Sequence, residues 1–213
     1  MATYAVLTGD IVKSREISPR AQLIETLKEA LETARQTHQA EYNIYRGDSF
    51  QMVIPAAHDA ALVAIIIRSK LISRSPKKSS TWDARVSIGI GDITFRGEKI
   101  TESDGPAFLL SGNSMDELSK KNRRLIINAP WKQADRSLSL VTRFADDIIS
   151  NWSRYSAETA FHSLVYNESQ SVLAKRLGKS QPTINKRIST AKLDLVRAYV
   201  QHVNDYVRWE TRV

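Results

Sequence analysis

Two aspartates stand in matching Gly-Asp pairs, Gly9-Asp10 and Gly47-Asp48, each beside an apolar stretch. Two carboxylates brought together repel, and one resists ionising unless a cation lies between them. Mg²⁺ suits such a pair, because it takes one or two carboxylates, keeps several waters and fills its shell with phosphate oxygens. Just past Asp10 come Lys13, Ser14 and Arg15, with the backbone amides of residues 11–14 at the start of a helical segment. Cations and amides in that setting receive phosphate. The chemistry this spacing points to is a metal-held nucleotide, with Asp10 and Asp48 on the metal and Lys13, Ser14 and Arg15 on the phosphates. Gly-Asp pairs also serve as ordinary turns and caps, and the sequence leaves both readings open.

The elements that must position these residues follow from periodicity. Residues 4–12 read as a strand, β-branched and aromatic, delivering Asp10 to a sheet edge. Ser18-Pro19 starts a helix, with Leu23, Leu27, Ala30, Leu31 and Ala34 at helical spacing. Glu41–Arg46 and Ser49–Ile54 form a hairpin that sets Asp48 on its turn. Ala56–Ser73 is a second helix, apolar on most sides and so packed on a sheet. Ser73–Ser80 reads as a basic loop. Ala84–Ile93 is a strand in which Gly89 and Gly91 mark a close approach. Ser114–Lys121 reads as a helix and Leu125–Asn128 as a last strand. The order β-α-β-β-α-β-α-β predicts a mixed sheet with both long helices on one face. In this topology the first strand and the hairpin are neighbours, so Asp10 and Asp48 face each other.

Pro130–Ser137 is polar and reads as a linker, with everything beyond it helical. The chain thus divides into residues 1–134 and residues 135–213. The expected class is α+β: a ferredoxin-like, palm-type mixed sheet with helices, followed by an all-α unit.

The segments "TGDIVKS", "YRGDSFQM" and "ARVSIGIGD" resemble the SatD family of bacterial proteins. They are also similar, more distantly, to class III nucleotidyl cyclase and GGDEF-type palm domains. That resemblance implies that Asp10 and Asp48 hold Mg²⁺ (or Mn²⁺) with help from the carbonyl of Ile11, in a two-metal route to nucleotidyl transfer. The sequence departs from ATP-using cyclases at Ile44, where they carry a base-reading lysine. Asn113, Lys120 and Lys121 also lie off the spacing of their transition-state Asn and Arg.

The tail carries a second pattern in "SQSVLAKRLGKSQPTINKRIST". Leu173, Ala174 and Leu177 line a short helix, Gly178 suits a left-handed turn, and Ser180 caps a second helix with Pro182 in its first turn. Ile184 and Ile188 point to the core. This is the helix-turn-helix register. It would present Lys179, Ser180, Gln181, Thr183, Asn185, Lys186 and Arg187 to DNA bases and phosphates, with Lys175 and Arg176 beside them. A helical hairpin for protein contacts is the other reading. The last helix carries Leu193, Leu195, Val196, Tyr199, Val200, Val203, Tyr206 and Val207, enough to pack on Phe144, Ile148 and Trp152 or to build a homodimer.

Composition bounds these readings. The 213 residues carry a formal charge of +8, which predisposes the chain to polyanions. There is no cysteine, which removes disulfides and thiolate metal sites and fits a reducing, cytoplasmic setting. No apolar run reaches the roughly 18 residues of a membrane span, and the first residues do not read as a signal peptide. The four histidines are scattered, without zinc spacing. The function expected is a DNA-binding transcriptional regulator whose cyclase-like part binds a nucleotide with Mg²⁺. The alternative is a metal-dependent nucleotidyl cyclase or nucleotidyltransferase targeted by its tail, and a nucleotide-independent adaptor is a third.

Overall fold

The computed structural model describes residues 3–76 and 80–211. The middle of the expected basic loop, residues 77–79, lies outside them. Five strands form one sheet: β1 (Tyr4–Ile11), β2 (Glu41–Tyr45), β3 (Ser49–Ile54), β4 (Ala84–Gly91) and β5 (Leu125–Asn128). The spatial order is β2-β3-β1-β4-β5. β4 and β5 run parallel, and the other neighbours are antiparallel.

Strand alternation splits the sheet into two faces. Ala5, Leu7 and Ile11 of β1 and Val86, Ile88 and Ile90 of β4 belong to the main core with α1 (Arg20–His38) and α2 (Ala60–Ser73). Val6 faces the other way, against Ala107 and Phe108 of α3 (Pro106–Asn113). Asp10 is even-numbered like Val6 and Thr8, so it lies on the α3 face. The sequence reading left α3 unassigned, because its run is apolar between two glycines and shows no amphipathic stripe. It is followed by α4 (Met115–Lys120). α3 lies directly on β4: a Cβ at Gly89 would stand 2.2 Å from the Ala107 carbonyl oxygen and 2.5 Å from the Ser111 amide.

The expected linker is not a linker. The chain passes from β5 into α5 (Lys132–Ser150), so a boundary at residue 134 falls inside that helix. Four more helices follow: α6 (Arg154–Tyr166), α7 (Gln170–Leu177), α8 (Gln181–Thr190) and α9 (Leu193–Glu210). α6 packs along α2, α5 against β5, and α9 against α5 and the turn before α2. One apolar core therefore runs from Leu7 through Ile65 to Ile149, Leu173, Ile184 and Val203. α2 is apolar all round because it has the sheet on one side and these helices on the other.

Inside that joint, Arg68 of α2 is fully buried. Its Nε and Nη2 donate to Asp83 at 3.0 and 2.9 Å, and Nη1 donates to Asp146 of α5 at 2.8 Å. Arg124 closes the cluster, donating from Nη1 to Asp83 at 2.8 Å and from its amide to Asp146 at 2.9 Å. Burial alone would lower the Arg68 pKa, but the two carboxylates outweigh it and hold the guanidinium firmly charged. No helix among the described residues is long and apolar enough to cross a membrane.

Candidate functional site

The two Gly-Asp pairs meet. The β1–β3 ladder pairs Asp10 with Ser49 and Gly9 with Phe50, which sets Asp48 next to the end of β1. The Ile11 amide donates to the Asp48 carbonyl at 3.1 Å. Burial pushes the Asp10 carboxyl above the usual carboxylate range; Arg85 opposes that shift, and the charge of Asp48 adds to it. Arg85, opposite Asp10 on β4, donates from Nη1 to Asp10 Oδ2 at 3.1 Å. The other oxygen, Asp10 Oδ1, is buried and has no hydrogen-bond partner among the described residues. The Ser14 hydroxyl donates to Asp48 Oδ2.

These residues fit a hard cation. Two carboxylates converge, one with an orphaned oxygen, and every available donor is oxygen. Among the described residues no group of three or more His, Cys, Asp or Glu side chains stands together. An ion here would therefore lean on water and phosphate oxygens for the rest of its shell. Ile11 turns its side chain into the core, so only its backbone borders the site.

The phosphate cradle differs from expectation. The amides of Ile11 and Val12 are not free: they are bonded to the carbonyls of Asp48 at 3.1 Å and Asp83 at 2.9 Å. Strand pairing runs past the Gly-Asp and consumes them. The segment that follows, Ser14–Glu16, is a single 3-10 turn rather than the first turn of a helix, and α1 starts only at Arg20. Ser14 is buried against Asp48, so it orients a carboxylate and does not face solvent. Lys13 and Arg15 are exposed, with Lys13 3.6 Å from Glu16.

Sequence reasoning passed over Tyr45 at the end of β2. Tyr45 stands opposite Ser49, which stands opposite Asp10, so Tyr45 and Asp10 share one face of the sheet; burial raises the phenol pKa, with Arg46 opposing and Asp10 adding to the shift. The signal was its place two residues before Gly47 in the hairpin.

On α8 the residues divide. Ser169 and Ser180 cap α7 and α8 by accepting the amides of Val172 and Thr183, and Gly178 takes the left-handed turn at φ 60°. Lys179, Ser180, Gln181, Thr183, Asn185 and Lys186 are exposed. Arg187 is not part of that face. It lies three residues after buried Ile184, only 14% of its side chain is exposed, and it pairs with Glu158 at 3.0 Å over the Tyr155 ring. Arg176 is held likewise, by Glu168 and by the ring of Tyr166 at 4.1 Å. The expected packing of Phe144 against the last helix also fails, since Phe144 is 64% exposed. Trp152 does meet that region, its Nε1 donating to the Ala191 carbonyl at 2.8 Å.

The class is thus an α+β protein with a five-stranded mixed sheet, two acids at one sheet end and a helical tail built onto its back. The model of the SatD family matches residues 4–205, and the chain belongs to that family. Comparison with curated proteins finds no match. Among solved structures it is similar to a bacterial light-regulated adenylyl cyclase, at 11% identity and TM-score 0.46 over 59% of this chain and 75% of that one. It is also similar to the coiled-coil and GGDEF-domain structure of DgcB from Caulobacter crescentus in complex with c-di-GMP, at 16% identity and TM-score 0.44 over 60% and 70%. A third is the GGEEF domain of a diguanylate cyclase from Vibrio cholerae, at 11% identity and TM-score 0.43 over 60% and 83%. Likenesses of this size concern the course of the chain and not its chemistry.

Proposed function

We propose that the Asp10–Asp48 end of the sheet binds a nucleoside triphosphate with Mg²⁺ (or Mn²⁺) and supports nucleotidyl transfer or cyclisation. The observation that carries this reading is the convergence of two carboxylates, one of which keeps a buried oxygen without a partner. A bound divalent ion would relieve their repulsion and offset the triphosphate charge. Asp10 and Asp48 hold it, with the Ile11 carbonyl beside them. Ser14 fixes the Asp48 rotamer, and Arg85 opposes the upward push that burial gives the Asp10 carboxyl. Lys13 and Arg15, exposed on the turn beyond β1, supply charge for the phosphate chain.

The test is incubation with each NTP and Mg²⁺ or Mn²⁺, reading pyrophosphate release and, separately, metal-dependent nucleotide binding by equilibrium dialysis. Release that vanishes in Asp10→Asn and Asp48→Asn supports the enzyme. Binding without release, lost in the same variants, supports a nucleotide sensor in its place. Neither binding nor release refutes the site.

A second reading concerns the tail: α7 and α8 act as a helix-turn-helix that binds DNA, so that the protein is a transcriptional regulator in the cytoplasm. It is supported by the capped, unobstructed face of α8, where Gln181, Thr183, Asn185 and Lys186 are all exposed. Gln and Asn there pair with adenine edges, and the lysines hold phosphates. Duplex binding by fluorescence anisotropy tests it; affinity unchanged in Lys179→Ala/Lys186→Ala and in Gln181→Ala/Asn185→Ala refutes it.

A further inference from the structure

The sheet face that carries Asp10 also carries a row of neutral polar side chains. Asn43 of β2 stands opposite Gln51 of β3, and Gln51 opposite Thr8 of β1. Residues paired across strands share a face, and Val53, two residues beyond Gln51, packs with Val6 on the α3 side. Asn43, Gln51, Tyr45 and Asp10 therefore all lie on that side. α3 packs on β4 and β1, where Thr8 and Ser111 join their hydroxyls at 2.9 Å. Over β2 and β3 the row stays half open. Asn43 and Gln51 are half-buried, and neither side-chain amide has a hydrogen-bond partner among the described residues. Two facing amides in that state offer donors and acceptors side by side.

Beside Asn43 the face is concave. A crevice of about 370 Å³ opens between β2 and residues 93–103, with Val53, Ile93 and Ile100 among its walls. Apolar side chains next to a few orienting polar groups are what a small-molecule site needs. Strand spacing sets Gln51 about 8 Å and Asn43 about 12 Å from Asp10, the reach of a nucleoside whose phosphates lie at the acids. An amide meets adenine in two bonds, its oxygen accepting from the N6 amine and its nitrogen donating to N7. Guanine calls for an arginine on its O6 and N7 or for an acid on its N–H groups. The arginine and acid of this crevice, Arg96 and Glu41, are paired with each other at its exposed rim. The amides are left to face the base.

We propose that Asn43 and Gln51 read the base of the nucleotide and select adenine, so that the ligand of the Asp10–Asp48 end is ATP. This rests on the nucleotide reading of that end and names its substrate. The experiment is equilibrium dialysis of the full chain with each of the four NTPs and Mg²⁺. ATP is expected to bind at least about tenfold more tightly than GTP, CTP or UTP. Asn43→Ala/Gln51→Ala is expected to weaken ATP by about tenfold, erase the preference and leave the melting temperature unchanged, because neither amide is bonded within the fold. Asn43→Asp, which replaces an amide by an acceptor-only group, is expected to shift the preference toward GTP. Equal binding of all four NTPs, preference for another base, or an ATP preference that survives in both variants overturns the base assignment. In those cases nucleotide still binds and is lost in Asp10→Asn, so the metal–nucleotide reading stands. Absence of any nucleotide binding overturns both.

Discussion

Arg68 gives the most demanding test of how this fold is held together. Its guanidinium is 0% exposed and is shared between Asp83 and Asp146, themselves nearly buried. Arg68→Met keeps most of the stem volume and removes the charge. Asp83 then retains Arg124 and its own neighbouring amide, while Asp146 retains the Arg124 amide and Ser150. Two buried carboxylates are left facing one partly exposed arginine. Breaking a buried pair from one side costs about 3–5 kcal/mol, mostly the penalty of the orphaned charge. At about 2–4 °C per kcal/mol for a chain of this length, the melting temperature should drop by roughly 6–20 °C. The decisive comparison is a cycle: in an Asp83→Asn/Asp146→Asn background the same Arg68→Met should cost far less, because no charge is stranded. Urea unfolding followed by circular dichroism and tryptophan fluorescence measures both. A loss below about 1 kcal/mol, within reach of an ordinary substitution, or an equal loss in the two backgrounds would refute the reasoning. Coincident transitions by the two probes are also expected, since the cluster ties α2 and β4 to α5.

Three further outcomes follow from other contacts. Gly89→Ala should cost about 1–3 kcal/mol or more, because its Cβ would sit 2.2 Å from a backbone oxygen of α3; differential scanning calorimetry reads the loss. Burial pushes the His58 and His162 pKa values down. The unfolded chain therefore takes up their protons first, and the stability they contribute is full above pH ~6.5 and lost as pH falls through their folded values. A His58→Gln/His162→Gln variant should show a flatter fall in urea midpoint between neutral and mildly acid pH. If α8 faces DNA, Lys186→Ala should reduce the salt slope of duplex binding by about one unit, whereas Arg187→Ala should leave the slope unchanged and lower stability, because Arg187 is already paired with Glu158.

The sheet was legible where apolar, β-branched runs were bounded by marked turns. β1, the β2–β3 hairpin, β4 and β5 end within a residue or two of their expected limits because turn residues bound each run, although β1, β4 and β5 are buried on both faces and carry little alternation. The meeting of Asp10 and Asp48 was legible too, since it follows from topology alone. Other features depend on what lies across from a residue, which periodicity does not record. The amides of Ile11 and Val12 read as free, yet their acceptors, Asp48 and Asp83, are distant in sequence. Arg187 read as outward-facing because α8 is short, and only the partner helix α6 reveals its ion pair. The polar stretch 130–137 read as a linker because its composition is that of a helix start with an exposed side, as Arg136 and Ser137 show. Arg68 carried a usable signal: a charge inside a helix apolar on every side must be paired if buried.

The all-round greasiness of α2 has a consequence for how this protein can be taken apart. Cut away the last third of the chain, and a helix evolved to touch hydrocarbon on every side would have water along one flank. The portion that carries the sheet is therefore not a detachable cassette. Whatever ligand settles at the sheet end and whatever surface the carboxy-terminal helices offer, both belong to a single cooperative body, and a truncation meant to isolate either is expected to yield aggregate instead of a smaller working protein.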